Sequence, residues 1–180
     1  MTMNVPPRYR LPIAILASIA VVVVVFVAVA LVNQPRPSGS PSPSPSLSES
    51  VDPTGSPEGV VRAFFEAFAR ARKTDDPTLV LPFVTSERAD AYLSISGFLD
   101  GQRQVGKASV LTVQELNNLT VKTTGSIATV EFDYVEGGYD VNLDSGKPLE
   151  SPKVLAPYHV TVTVKHVESR WLVDSYTSRQ

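Results

Sequence analysis

The sequence predicts an α+β protein: one N-terminal transmembrane helix, then a domain of about three helices packed on a mainly antiparallel sheet of about five to six strands. Three observations carry this. Leu11 to Val32 is a 22-residue apolar run without a charge. From Pro57 to about Leu99, apolar residues recur at helical spacing. Beyond Ser109 the period changes to two, the signature of half-buried strands.

The apolar run LPIAILASIAVVVVVFVAVALV would form a helix of roughly 33 Å, enough to cross a hydrocarbon core of about 30 Å. Its valines favour strands in water, but in lipid the backbone must pair within the segment, which enforces helix. Pro12 falls in the first turn, where a missing N–H is tolerated. A buried core helix is excluded, because the rest of the chain is too small to surround it. A cleaved signal peptide is the rival reading, since Ala28-Val29-Ala30 has the small-x-small form of a cleavage site. The run exceeds the usual apolar region of such peptides, which favours an uncleaved signal anchor. Arg8 and Arg10 precede it and only Arg36 follows before the domain. That bias places a cytoplasmic tail at residues 1–10, a plasma-membrane span at 11–32, and the C-terminal domain outside, in the periplasm or at the cell surface.

Residues 33–56 hold six Pro and eight Ser. Such a stretch cannot bury apolar surface and is expected to be a disordered linker of polyproline character. It reads equally as a stalk lifting the domain off the bilayer and as a spacer of no set length.

The domain is expected over residues 57–180. Ser56-Pro57-Glu58 forms a helix start, with Ser56 as cap, Pro57 in the first helical position and Glu58 at the positive end of the dipole. Val60, Val61, Phe64, Phe65, Phe68 and Ala71 then mark the buried face, with Arg62, Glu66, Arg70 and Arg72-Lys73 opposite. Asp75-Asp76-Pro77 ends this helix and caps a short second one to Val84; a third is expected from Glu87 to about Leu99. Strands are expected at Ser109–Glu115 and Leu119–Thr123, joined near Asn117-Asn118, then at Ile127–Val135, 158–165 and Trp171–Tyr176. In the long strand Phe132 and Tyr134 share the inner face, while Glu131 and Asp133 take the outer. Between the long strands, 137–157 reads as an insertion tipped by Asp144-Ser145-Gly146.

The helix-then-strand order, the opening helix VVRAFFEAFARARKTDD and the closing pair VTVTVKHVESRWLVDSY resemble the nuclear transport factor 2-like, or ketosteroid-isomerase-like, cone fold. The resemblance covers about residues 57–180, and Arg170-Trp171-Leu172-Val173 is its most telling piece. It implies a curved sheet around a cavity and frequent homodimers. The layout of short tail, anchor and external domain is similar to bacterial membrane proteins of conjugation and secretion machines, and to proteins associated with mammalian-cell-entry lipid transporters. That likeness implies an accessory or scaffold role.

Composition and motifs exclude several chemistries. The domain has 13 Lys+Arg against 16 Asp+Glu, a net −3, so it has no basic surplus for nucleic acid. No cysteine is present, which removes disulfides, thiolate metal sites and a cysteine nucleophile. Gly101 to Lys107 has the spacing of a phosphate loop, but Ala108 replaces the magnesium-binding hydroxyl and the loop runs from helix to strand, the wrong order. Asp140 to Asp144 has the start of a calcium loop, yet Ser145 and Ser151 stand where Gly and Glu are required. His159 and His166 fall on opposite faces of one strand and cannot share a metal. Asn118-Leu119-Thr120 is a formal glycosylation sequon. No cofactor, metal or catalytic set is expected.

The expected function is therefore a non-catalytic, membrane-anchored accessory or scaffold protein that binds a protein partner, a second copy or an apolar small molecule. Candidate pocket residues are Phe68, Tyr92, Phe132, Tyr134, Tyr158 and Trp171, each of which also suits a plain core. The alternative is a cone-fold enzyme acting on a small apolar substrate. It requires an inward carboxylate as base; Asp174 is the residue of ambiguous facing that could supply one.

Overall fold

The computed structural model describes residues 52–179. The apolar run 11–32 lies outside them, as does most of the Pro/Ser stretch. Among the described residues no helix is long and apolar enough to cross a membrane.

Helix α1 (Pro57–Thr74) starts as its sequence dictates: Ser56 Oγ accepts from Gly59 N at 3.0 Å and Pro57 occupies the first turn. It stops at Asp75, whose φ of 56° leaves the helical region. The last residues assigned to the linker are not disordered: Pro53–Gly55 forms a 3-10 turn capped by Asp52, with Thr54 buried. Asp52 Oδ1 accepts from Thr54 N at 2.9 Å, a local capping bond that the Pro/Ser composition obscured.

A 3-10 helix, Pro77–Phe83, follows, with Asp76 capping it through Thr78 N at 3.0 Å. Helix α2 runs Asp90–Gln104, later at both ends than expected. Ser86 to Ala89 forms a separate turn, and Gly106, with φ of 68°, provides the real stop. Gly97 and Gly101 are carried within the helix and do not end it.

The sheet contains β1 (Lys107–Thr124), β2 (Ile127–Asn142), β3 (Lys153–Val154), β4 (Tyr158–Val167) and β5 (Arg170–Arg179). All ladders are antiparallel, in the order β1-β2-β4-β5, with β3 on β2. The turn expected at Asn117-Asn118 does not exist. The two short strands are one, and Asn118, at φ 55°, sits in a bulge where the register shifts between Asn117 and Thr120. Asparagine tolerates that conformation, so a turn signal became a bend within a strand. Asn118 Nδ2 donates to Asp133 Oδ2 at 2.8 Å, which holds the bulge against β2. The strand expected to end at Val135 continues to Asn142 and then turns tightly through Asp144 to Gly146.

The core lies between the helices and one sheet face. Val60, Val61, Phe64 and Phe65 of α1 share the core with Val130 and Phe132 of β2 and Val160, Val162 and Val164 of β4. Gly137 and Gly138 let β2 pass between β1 and β3. A Cβ on Gly138 would sit on the Val110 carbonyl, in the backbone of the paired strand, with Leu111 Cα 3.0 Å away. Gly138→Ala is accordingly expected to destabilise the domain by about 2 kcal/mol, the scale of an overpacked site. Chemical denaturation of the two proteins measures it.

Candidate functional site

The helices leave one end of the inner sheet face uncovered. Phe65, Phe68 and Arg72 project there from α1, at spacings of three and four that align them on one helix face. Alternation along β2 brings Tyr134 and Glu136 to the same place. Phe98 of α2, Tyr158 of β4 and Tyr176 of β5 complete the walls of a cavity of about 190 Å³.

At its inner edge Arg72 Nη1 donates to Glu136 Oε2 at 2.5 Å. Both side chains are largely enclosed, at 17% and 14% exposure. The guanidinium lies 5.7 Å from the Phe68 ring centre and 5.3 Å from that of Phe98. These distances allow cation–π attraction. The Tyr158 hydroxyl donates to Glu136 Oε1 at 3.1 Å, so both carboxylate oxygens are engaged. Gln114 Nε2 donates to the Tyr134 hydroxyl at 2.9 Å and to Phe65 O at 2.8 Å. A second cavity of about 220 Å³ lies beyond the ion pair, under β3, and shares Arg72 and Glu136 with the first.

Burial pushes the Tyr134 phenol up to about 12, against the opposing hydrogen bond from Gln114. Burial, then the Glu136 carboxylate, raises Tyr158 as well, and burial raises Tyr176. All three remain hydroxyl donors at ordinary pH. For Tyr134 the unfolded phenol ionises near its ordinary value of 10.0 and the folded one near 12. Its contribution to stability is therefore complete below the lower value and is lost as pH rises through the higher. A titration of phenolate absorbance is expected to show a late phase shared by these three tyrosines, with Tyr134 ionising about two pH units late and Tyr134→Phe removing its share of that phase.

The sequence candidates divide. Phe68, Tyr134 and Tyr158 line the cavity. Phe132 lies behind its wall, edge-on to Phe65 at 5.3 Å. Tyr92 and Trp171 pack against the core elsewhere, the Trp171 ring tilted against His166 at 4.9 Å. Asp174 falls in the register shift of β5, where it accepts from Thr85 Oγ1 at 2.9 Å and pairs with Lys165 at 2.7 Å, outside the cavity walls. Glu131 and Asp133 face outward. The residues missed are Arg72 and Glu136. Arg72 is four residues beyond Phe68, and Glu136 continues the parity of Phe132 and Tyr134, so both signals were present in the spacing.

Many solved structures similar to this chain are nuclear transport factor 2-like, ketosteroid-isomerase-like or cystatin-like fold proteins. No family model matches the chain, and no curated protein does. Similar structures include the intermembrane space region of the chloroplast protein ARC6, at 19% identity and a TM-score of 0.49, covering 67% of this chain and 92% of that one. A ketosteroid isomerase-like protein from Erwinia carotovora atroseptica is 17% identical with a TM-score of 0.45, over 67% of this chain and 90% of its own. A nuclear transport factor 2-like superfamily protein from Salmonella enterica is 12% identical with a TM-score of 0.42, over 66% and 87%.

Proposed function

We propose that this protein is a membrane-tethered, extracytoplasmic binding module that performs no chemistry and receives an apolar ligand or a protein partner through its cone-like domain. One observation carries the reading. The aromatic cavity has a single carboxylate among its lining residues, and both of that carboxylate's oxygens are engaged by Arg72 and Tyr158. A carboxylate held in this way is an anchor for its neighbours and not a free base. The apolar run 11–32 and the Pro/Ser stretch to Ser56 support a tether that fixes the domain's place at the plasma membrane.

In-cell crosslinking of the full-length chain, followed by identification of what co-purifies, tests the role. A specific partner, a second copy or a bound apolar molecule is the expected result. A reporter fused after Gln180 is expected to be active only outside the cytoplasm; activity inside sinks the orientation.

Glu136 also favours a second reading, an enzyme of the cone-fold type, because it is the inward carboxylate such chemistry needs. The purified full-length chain would then turn over a small apolar substrate, and Glu136→Gln would abolish turnover while leaving the fold intact. Absence of this effect in any active preparation removes Glu136 as a base.

A further inference from the structure

We propose that Arg72 is the recognition group of the aromatic cavity, and that the ligand is an uncharged molecule of about single-ring size carrying one hydrogen-bond-accepting oxygen. This rests on reading the cavity as a ligand site.

The donor inventory is unbalanced. A guanidinium has five N–H bonds in a rigid fork. In Arg72 only Nη1 is engaged, by Glu136. Nε is enclosed and has no acceptor, a costly state for a group on a charged side chain. Nη2 makes no hydrogen bond within the described residues and is not among the enclosed orphan atoms, so it stays available to an acceptor where Arg72 lines the cavity. An acceptor oxygen that draws the fork slightly toward the cavity would engage Nη2 and relieve Nε. Phe68, Phe98 and the Glu136 bond already confine the Arg72 side chain, so little ordering remains to be done on binding. The Tyr134 hydroxyl accepts from Gln114, which leaves its own proton free to donate.

Charge selects the ligand class. Arg72 and Glu136 are the charged residues lining this cavity, and they sum to zero. An anion would approach Arg72 only by sitting beside the Glu136 carboxylate, while a cation would meet Arg72 itself. A neutral acceptor faces neither repulsion. Size limits it further. The volume of about 190 Å³ falls below that of drug-sized pockets and just above the ~150 Å³ that holds a benzene ring.

The test measures binding of three probes, acetophenone, ethylbenzene and benzoate, to the full-length chain in detergent, with detergent alone subtracted. Acetophenone is expected to bind at least about tenfold more tightly than ethylbenzene, the effect of one hydrogen bond to a charged donor. Benzoate should bind more weakly than acetophenone. Arg72→Lys keeps a positive charge beside Glu136 but loses the fork; it should erase the preference for acetophenone while the melting curve shows a folded protein. Glu136→Gln removes the repelling charge and should raise benzoate affinity about tenfold. Equal binding of acetophenone and ethylbenzene overturns the role of Arg72 and leaves an apolar ligand site standing. Tighter benzoate in the unaltered chain overturns the uncharged class. If none of the probes binds, the ligand-site reading falls together with the inference.

Discussion

Glu136→Leu is expected to lower the stability of the domain by about 3 kcal/mol, and a second change, Arg72→Met, to recover most of that loss. The single substitution removes the acceptor of a largely enclosed guanidinium and of the Tyr158 hydroxyl. Breaking one side of a buried pair leaves an uncompensated charge, the costly case, whereas replacing both sides by apolar groups of similar volume is often close to neutral. Phe68 and Phe98, with ring centres 5.9 Å apart, already offer an apolar surface beside Arg72, against which a methionine can pack. Thermal unfolding of the four proteins of the cycle measures the coupling directly. The single variant should melt about 10 °C lower and the double within a few degrees of the unaltered chain. Additive losses in the cycle would show that Arg72 and Glu136 act independently. That outcome would also remove the reason for calling Glu136 an engaged carboxylate.

The features legible in the sequence are those set by local periodicity. The cap at Ser56, the buried stripe of α1, and the inward Phe132 and Tyr134 all follow from period and capping chemistry, and the structure places them so. What escaped depended on partners distant in sequence. Gly137-Gly138 read as the end of a strand, because glycine weakens an isolated strand. In the sheet these residues are central, flanked by β1 and β3, and the strand passes through them. That misplaced end hid Glu136. Arg72 was assigned to the outer face because arginine usually is; only Glu136, 64 residues away, makes its inward placement favourable. The Asn117-Asn118 turn failed similarly: asparagine signals a positive φ, and a bulge uses one as readily as a hairpin. The register shift at Asp174 likewise cancelled the simple parity on which its facing would have rested.

Phe132→Ala should have the larger effect, a loss of about 4 kcal/mol. Phe132 is 1% exposed on β2, an interior strand of the sheet, opposite Val160 in the β4 ladder. Its ring meets Phe65 edge-on at 5.3 Å and Tyr134 at 6.2 Å. Truncation removes the burial of one ring and leaves a void that a paired strand cannot close by moving, so transfer and cavity terms add. Phe132→Leu keeps most of the volume and should lose only about 1 kcal/mol. The denaturation midpoint should fall in both variants with little change in slope, which locates the effect in the folded state. The consequence reaches the candidate site because Phe65 and Tyr134, which Phe132 supports from behind, are two of its walls. Probe binding should therefore weaken in the alanine variant even at temperatures where it remains folded, and stay near normal in the leucine variant. If both variants bind alike, the cavity walls are held by α1 and the Gln114 hydrogen bonds alone, and the layer beneath them has no part in shaping the site.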